Sequence, residues 1–399
     1  MIPHFVHPAC NKTISALLDE QVSTQTENDF PMFKVIPFPK YPLDDTDVLK
    51  IGTIQVPPTA KYWILSSPTT KRTRTRKTYL MATLNVTPDS FSDGAQHNTL
   101  PTALAYTEAA VASSAHIIDI GGYSTRPHAS PVSPSDELAR ILPVIHAIRV
   151  HPSEAVRDIL LSVDTFRWEV AERAVRAGVN CINDVYAFTG PAYPPDDASA
   201  AHLKRMRGVA RELNVPVVLM HSRGEASANK DYNAYADGSE GGATGGGSEI
   251  VRAVQIELGR KVDAIVRGPG GVRRWLVLVD PGIGFSKPVE GQLALMRSLA
   301  RVTEPAPDGD GVDGCGNANP LAGYPLLVGP SKKSVWGVIL NEPDTEGTYQ
   351  GRQTNAQERG WATAAAVACA VQQGANVVRV HDVAEMRDVV AVASAIWNR

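Results

Sequence analysis

The stretch ILLSVDTFRWEVAERAVRAGVNCINDV, residues 159–185, contains a short apolar run, a segment with helical spacing and a second apolar run. Residues 159–163 and 181–185 are each short enough to be a strand, and residues 169–177 repeat apolar side chains at helical intervals. A strand, a helix and a second strand in this order form one βαβ unit, in which the two strands run parallel.

The same alternation continues through most of the chain. Six further apolar runs are rich in Val, Ile and Leu, and they are residues 80–86, 116–120, 216–220, 275–279, 325–328 and 377–380. Helix-like segments lie between the runs, among them residues 101–115, 134–150, 250–266 and 362–373. Continuous apolar strands indicate a parallel sheet that is buried on both faces. Eight such units predict an α/β protein with a (β/α)₈ TIM barrel, and an open doubly wound sheet is the alternative.

Residues 1–77 differ from the rest of the chain. They contain many prolines, show few regular periods and end in the basic run KRTRTRK at residues 71–77. We interpret them as an irregular N-terminal extension or linker, and residues 78–399 as the barrel domain. The basic run fits a nucleic-acid patch, but a solvated linker agrees better with the net charge of −3. The Gly-rich segments 237–248 and 304–320 are interpreted as surface insertions.

The composition excludes several classes of protein. Hydrophobic residues make up 43% and charged residues 20% of the chain, which is typical of a globular protein. We expect no membrane partner, because no run of about 18 apolar residues is present, and no nucleic-acid partner, because the chain is slightly acidic. The 4 cysteines form no C-x-x-C pair, which argues against structural zinc or a disulfide framework. A cytoplasmic location is expected, and a mitochondrial one stays open if the chain derives from a longer parent.

Every predicted strand ends in small, polar or ionisable residues. In chain order these are Asn85, Asp119 with Gly121 and Gly122, Asp164, Asn183 with Asp184, His221, Asp280, Ser331 with Lys333, and Arg379 with His381. In barrel enzymes the catalytic groups lie on this face of the sheet. An Asp at a strand end is often only a helix cap, and this alternative stays open for Asp119 and Asp184. Capping alone does not explain all eight strands.

The residue types at these strand ends predict two kinds of ligand group. Asp164 and Asp280 accept hydrogen bonds and Asn183 both donates and accepts, which suits the edge of a polar heterocycle. The cationic side chains suit phosphate or carboxylate oxygens; they are Arg126, Lys333, Arg379 and His381. Asn85 is placed to offer an oxygen to Mg²⁺, which usually takes few protein ligands. One site for a planar, phosphorylated substrate is therefore expected.

Eight segments carry longer motifs. They are MATLNVTPDSFSDG (81–94), IDIGGYSTRP (118–127), SVDT (162–165), INDV (182–185), MHSRG (220–224), DPGIGFSK (280–287), LLVGPSKK (326–333) and RVHDV (379–383). In this order the segments resemble dihydropteroate synthase, from about residue 78 to the C-terminus.

The resemblance implies a reaction and a set of site residues. The family joins 6-hydroxymethyl-7,8-dihydropterin diphosphate to 4-aminobenzoate, giving 7,8-dihydropteroate and pyrophosphate in folate biosynthesis. The pterin-binding residues so implied are Asp164, Asn183, Asp280 and Lys333. Diphosphate would be bound by Thr125, Arg379 and His381, with Mg²⁺ on Asn85. The aminobenzoate pocket, which sulfonamide drugs occupy, would contain Thr125, Arg126, Pro127, Phe285 and Ser331. We expect Asp164, Lys333 and Arg126 to be the catalytic residues.

Some features depart from this family or lie beyond its motifs. Tyr123, Ser286, Pro330 and Lys332 differ from the residues commonly found there. Ser286 stands where a glycine is often found, and Lys332 where arginine is common. Residues 2–20 resemble the end of the pterin pyrophosphokinase domain in fungal multifunctional folate-synthesis proteins. An unrelated arm is the alternative for this segment.

Two other functions and one assembly are also considered. A pterin-binding methyltransferase would share the Asp and Asn residues but has no need of the Ser331–Lys333 segment or of Arg379. A non-catalytic pterin-binding protein is the alternative outside enzymes. The apolar stripes of residues 362–373 and 384–396 fit a homodimer interface, although core packing explains them equally well.

Overall fold

The computed structural model describes residues 33–35, 63–65, 77–87, 99–123, 132–235, 248–267, 270–305 and 319–397. Two short strands in the N-terminal segment, β1 (Phe33–Val35) and β2 (Trp63–Leu65), pair in antiparallel orientation. The sequence pattern does not predict this pairing. Most of residues 1–77 lie outside the described residues, so their assignment as a linker or as the end of a kinase domain stays a prediction.

Eight parallel strands form the main sheet. They are β3 (Tyr79–Asn85), β4 (Ile117–Gly121), β5 (Leu160–Asp164), β6 (Cys181–Asp184), β7 (Val217–Met220), β8 (Val277–Asp280), β9 (Leu327–Val328) and β10 (Val377–Val380). The strand order is β8-β7-β6-β5-β4-β3-β10-β9, so the last strands pair with the first. A parallel bridge between Val279 of β8 and Leu326, beside β9, joins the two edges. The predicted TIM barrel is confirmed.

Helices follow the strands and cover the outside of the barrel. They are α1 (Leu100–Ala112), α2 (Pro134–Arg149), α3 (Glu154–Arg157), α4 (Trp168–Arg176), α5 (Asp197–Glu212), α6 (Ser248–Val266), α7 (Val289–Arg297), α8 (Leu299–Thr303), α9 (Ser334–Asn341), α10 (Gly360–Gln372) and α11 (Val383–Trp397). Ser133 begins α2 because its hydroxyl accepts a hydrogen bond from the amide of Asp136, with Pro134 at the first helical position. Within the described part of the chain, we find no helix with the length and apolar character to span a membrane.

The barrel interior is apolar at one end. Successive side chains on a strand point to opposite faces, so Leu80 and Leu84 of β3 pack outward against the helices and Met81 points inward. All eight strands contribute to this inner cluster, which contains Tyr79, Met81, Ile117, Leu160, Cys181, Val218, Leu278, Leu327 and Val377. Because these residues lie early in their strands, they fill the amino-terminal end of the barrel. The carboxyl ends are left for polar side chains.

The sequence pattern predicts the strands better than the helices. Each predicted strand is present, and its bounds differ from the observed ones by no more than 2 residues. The predicted helical segments do not include α3, α5, α7, α8 and α9. In α5, residues 197–212, Ser, Ala, Gly and several charged residues interrupt the apolar stripe that marks a helix in sequence.

Candidate active site

The barrel interior becomes polar at the carboxyl ends of the strands. A side chain two residues further along a strand stays on the same face, so the residues that follow the inner apolar cluster also point inward. They are Thr83, Asn85, Asp119, Ser162, Asp164, Asn183, Met220, Asp280 and Arg379. The site residues that the sequence predicts on strands β3, β5, β6, β8 and β10 therefore share one end of the barrel.

Arg379 connects acidic side chains of two other strands. Its Nε donates to Asp119 Oδ2 at 2.6 Å, and its Nη2 donates to Asp164 Oδ2 at 2.7 Å. The amide Nδ2 of Asn183 donates to the same oxygen of Asp119 at 3.0 Å. Burial lowers the pKa of Arg379, but the charges of Asp119 and Asp164 outweigh it and leave the pKa raised. These four side chains form one hydrogen-bonded group, so Asp119 is not a helix cap.

Three ionisable groups in this region titrate near neutral pH. Burial raises the pKa of Asp164 to about 7, although the charge of Arg379 opposes it. Burial likewise raises the pKa of Asp280 to about 6, against the hydrogen bond that its Oδ1 accepts from the amide of Gly282 at 2.7 Å. Burial and the charge of Arg379 lower the pKa of Lys333 to about 8. Such perturbed groups at one end of a barrel are typical of a functional site.

Phe285, in the turn after β8, lies beside Lys333, which follows β9. The Nζ atom of Lys333 lies 4.7 Å from the centroid of the Phe285 ring. Gly284 makes room for this lysine, since a Cβ on Gly284 would lie 2.7 Å from Cδ of Lys333. Gly284 also has a φ of 87°, a conformation that glycine adopts without strain. The charge of Lys333 lowers the pKa of Asp280, so these groups act on one another.

The residues after β9 are bonded to the residues after β10. Ser331 Oγ lies 2.9 Å from His381 Nδ1 and accepts a hydrogen bond from the His381 amide at 3.3 Å. The next residue, Lys332, donates from Nζ to Asp382 Oδ1 at 2.8 Å. Lys332 therefore forms an ion pair with Asp382. The two connections hold Ser331 and His381 together, near Arg379.

Asn85 and Asp164 both lie close to the interior side of Gly121. A Cβ built on Gly121 would be 3.5 Å from Asn85 Oδ1 and 3.9 Å from Asp164 Oδ2. Because Gly121 has no side chain, this residue does not fill the position of its missing Cβ beside these two oxygen atoms. Two oxygen donors beside such a position suit a small hard cation.

An apolar surface borders the polar groups. It is formed by Val185, Tyr186 and Met220, with Phe166 and Phe285 packed against them. Apolar side chains next to a few convergent polar groups are typical of a site for a small planar ligand. Of this surface, only Phe285 is among the site residues predicted from the sequence. Val and Met near strand ends give no functional signal in a sequence, because they also fill ordinary cores.

The predicted site residues Thr125 and Arg126 lie outside the described residues, so their roles stay predictions. Both ends of that segment are described, and Arg167 contacts both. Its guanidinium carbon lies 4.6 Å from the centroid of the Tyr123 ring, and its Nη2 donates to the carbonyl of Val132 at 2.7 Å. Tyr123, which departs from the family pattern, therefore has a defined partner.

Asp184 and His221 do not belong to the site, although the sequence pattern places them with the other polar residues at the strand ends. Each follows an inward-pointing residue and therefore points outward. Asp184 accepts hydrogen bonds from the amides of Tyr186 at 2.7 Å and Phe188 at 3.0 Å, so it caps a turn. His221 Nε2 lies 3.0 Å from Glu257 Oε2 on the outer helix α6.

Ser286 stands where the family often has glycine, and the backbone explains that preference. Its φ is 50°, in the left-handed region. The serine hydroxyl donates to the carbonyl of Glu225 at 3.0 Å and accepts from the amide of Arg223 at 3.2 Å. These bonds offset the unfavourable conformation. The proline at 330 is not explained by its contacts.

Comparisons with known proteins agree with this geometry. The family model of pterin binding enzymes matches residues 81–381. A dihydropteroate synthase from Synechocystis sp. is 37% identical over 323 residues, covering 81% of this chain and 91% of that protein.

Two solved structures show the same fold. The dihydropteroate synthase of Burkholderia cenocepacia, complexed with 7,8-dihydropteroate, has a TM-score of 0.58 and 31% identity, covering 80% of this chain and 91% of that one. The enzyme of Xanthomonas albilineans with 4-aminobenzoic acid has a TM-score of 0.59 and 32% identity, covering 81% of this chain and 94% of that one. With the motifs, the barrel and the polar strand ends in agreement, this chain belongs to the pterin binding enzymes, in the dihydropteroate synthase family.

Proposed function

We propose that this site joins 6-hydroxymethyl-7,8-dihydropterin diphosphate to 4-aminobenzoate, forming 7,8-dihydropteroate and pyrophosphate for folate biosynthesis. The observation that carries the proposal is the convergence of Asp164, Asn183 and Asp280 with Lys333 and Arg379 at one end of the barrel. The relatives support the choice of substrates, because one structure contains 7,8-dihydropteroate and another contains 4-aminobenzoic acid.

The pterin ring needs hydrogen-bond donors, acceptors and an apolar surface. Asp280 offers a carboxylate to the N–H groups of the ring, and Asn183 offers an amide oxygen and its second N–H. The ammonium group of Lys333 donates to a ring acceptor. Met220 and Val185 supply apolar contact with a face of the ring. This arrangement supports a planar heterocycle with donors and acceptors on one edge.

The diphosphate needs positive charge and directed donors. Among the described residues, two N–H groups of Arg379 bind Asp119 and Asp164. A guanidinium has five N–H donors, so the others are directed to phosphate oxygens. The connected pair of Ser331 and His381 adds further donors nearby.

Magnesium is part of this proposal, with Asn85 as its protein ligand. No cluster of three or more His, Cys, Asp or Glu side chains in the described ranges is arranged to hold a metal ion. The fitting protein donor is Asn85 Oδ1, which lies beside Gly121. Mg²⁺ usually takes only one or two protein ligands and fills its other positions with phosphate oxygens and water. When bound, it supplies neutralisation of charge on the leaving diphosphate.

The chemical step exchanges one bond for another at the methylene carbon of the pterin. The C–O bond breaks and its electron pair leaves with the diphosphate. Asp164 stabilises the positive charge that spreads over the pterin, which is electrostatic catalysis by a fixed charge. The amine nitrogen of 4-aminobenzoate forms the new C–N bond and releases one proton to the solvent. An arylamine is already a competent nucleophile, so no strong base is required.

The aminobenzoate pocket is proposed at Phe285 and Ser331, beside Lys333. Thr125 and Arg126 are expected to complete it, with Arg126 pairing with the carboxylate of the substrate. A sulfonamide should compete with 4-aminobenzoate for this pocket. A methyltransferase acting on the same ring would show no such competition, so an inhibition assay separates the two functions.

The main test is a coupled assay for pyrophosphate. We expect release only when both substrates and Mg²⁺ are present. Lys333→Met should lower kcat/KM by about 100-fold or more, because a charged donor to the reacting substrate is lost. Lys261→Met is the matched control, since burial also lowers the pKa of Lys261 to about 8, and the hydrogen bonds of its Nζ among the described residues go to the main-chain carbonyls of Tyr186 and Ser222. No pyrophosphate from the wild-type chain under these conditions would contradict the assignment.

The proposal extends to assembly and location as predictions from the sequence. A homodimer is expected, and sedimentation of the purified chain tests it. A cytoplasmic location is expected, and imaging of the full-length gene product tests that.

A further inference from the structure

Asp119 lies at the centre of the polar end of the barrel. Its side chain is 0% exposed. Its Oδ2 accepts a hydrogen bond from Arg379 Nε at 2.6 Å and another from Asn183 Nδ2 at 3.0 Å. Arg379 is on β10 and Asn183 is on β6, and each of these strands lies two strands away from β4, on opposite sides. One oxygen atom therefore connects the two sides of the site.

The partners of Asp119 differ from those of a structural carboxylate in the same barrel. Asp184 is equally buried and lies at the end of β6. Both of its oxygens accept main-chain amide hydrogen bonds, so it stabilises a turn. Within the described ranges, Asp119 receives no main-chain hydrogen bond, and its partners are the side chains of Arg379 and Asn183.

The second oxygen of Asp119 does not explain a charged residue here by its contribution to the stability of the fold. Among the described residues, Asp119 Oδ1 has no hydrogen-bond partner. Thr83 and Ser162 lie in register with Asp119 on the neighbouring strands, and their buried hydroxyl oxygens also have no partner in the described part of the chain. A buried charge that is incompletely hydrogen-bonded reduces stability. The benefit of Asp119 must therefore come through the two residues that it holds.

We propose that Asp119 is a positioning residue of the synthase, which holds the Arg379 guanidinium and the Asn183 amide at the spacing that diphosphate and pterin require. The inference rests on the proposed function and deepens it, because Asp119 itself is not expected to touch substrate. The two carboxylates bonded to Arg379 then have different roles. Asp119 orients the guanidinium, and Asp164 remains directed at the pterin.

The substitution Asp119→Asn separates these roles. The neutral side chain keeps the size of Asp and has one accepting oxygen instead of a charged carboxylate. Arg379 then has Asp164 as its remaining charged partner among the described residues. We expect the guanidinium of Arg379 to shift toward Asp164. It then lies further from the phosphate position, and it shields the Asp164 carboxylate from the pterin. Binding of the pterin diphosphate weakens, whereas the aminobenzoate pocket at Phe285 and Ser331 is not involved.

The test measures steady-state constants for both substrates and the affinity for inorganic pyrophosphate by calorimetry. For Asp119→Asn we expect KM for the pterin diphosphate to rise about 10-fold to 100-fold, as for the loss of one charge-assisted hydrogen bond. The affinity for pyrophosphate should fall by a similar factor, and KM for 4-aminobenzoate should change by less than about twofold. Asp184→Asn controls for loss of a buried carboxylate.

Two outcomes overturn the inference. One is unchanged KM and pyrophosphate affinity in a folded Asp119→Asn protein. The other is an equal change for both substrates, matched by Asp184→Asn, because that result indicates a general loss of structure. Failure of the proposed function looks different, since the wild-type chain itself would then show no turnover. In that case the pyrophosphate affinities still report whether Asp119 positions Arg379.

Discussion

Replacing Arg379 by Met should destabilise the protein in a way that depends on pH. Met has a similar length and no charge, so the change removes the guanidinium with little loss of volume. Both Asp119 and Asp164 lose the charged donor that now lies 2.6 Å and 2.7 Å from their Oδ2 atoms. Asp119 is fully buried and cannot turn toward water in its place.

The expected magnitude follows from the burial of both carboxylates. Removing one member of a buried ion pair costs about 3–5 kcal/mol, because the other charge is left without compensation. The pKa of Asp164 is already raised to about 7 by burial, and loss of Arg379 removes the charge that opposes this rise. A carboxyl group with a raised pKa in the folded state loses stability as pH increases through that pKa. The variant should therefore be most destabilised above about pH 7 and recover part of the loss near about pH 5.

Urea unfolding of both proteins at about pH 5 and about pH 8 measures this effect. Arg176→Met is the control, because Arg176 forms an exposed pair with Glu172 on α4, and such pairs contribute at most about 1 kcal/mol. A loss of less than about 1 kcal/mol in the unfolding free energy of Arg379→Met at the higher pH would contradict this prediction. A larger loss at the lower pH also contradicts it.

Three further predictions concern other parts of the barrel. The pH profile of kcat/KM should rise toward the pKa of Asp164 at about 7 and fall above the pKa of Lys333 at about 8, and Lys333→Arg should move the falling limb upward. Burial lowers the pKa of Lys287 to about 7, against an ordinary lysine value of 10.5. The stability of the wild type should therefore increase relative to Lys287→Met as pH rises between these two values. Equal pH dependence of the two proteins in urea unfolding would contradict this. Gly122→Ala places a Cβ 2.7 Å from a methyl carbon of α2 and should cost about 1–3 kcal/mol in thermal unfolding, whereas Gly208→Ala in α5, with no atom within 4 Å, should not destabilise.

The fold could be predicted from the sequence because its strands are continuous apolar runs separated by helical periods. The shortest strand is the exception that shows the limit. Only Leu327 and Val328 form β9, and the bridge at Leu326 completes the closure. The composition of an apolar run predicts that a strand is present. The length of the strand depends on how it pairs with neighbouring strands, and the sequence of one segment does not contain that information.

A site residue could be predicted only where a polar side chain also lies on the inward-pointing face of its strand. Asp164, Asn183 and Asp280 have informative side chains and lie on the inward face. Asp184 and His221 have equally polar side chains but are one residue out of phase, and counting in steps of two from the inner apolar cluster would have excluded them.

Other parts of the site depend on contacts between distant segments. Arg167 follows β5, yet it contacts Tyr123 and Val132 on both sides of the segment that contains Arg126. The link from Asp119 to Arg379 spans 260 positions in the chain. No local pattern marks such partners, because they are set by how the strands are arranged around the barrel.

A crystal structure of this chain with 7,8-dihydropteroate would show whether the polar ends of the strands bind the pterin. We expect the pterin edge to lie within hydrogen-bond distance of Asp280 and Asn183, with the Asp164 carboxylate beside the ring and its bond to Arg379 retained. A pterin bound away from these side chains, or bound at the amino-terminal end of the barrel, would contradict it.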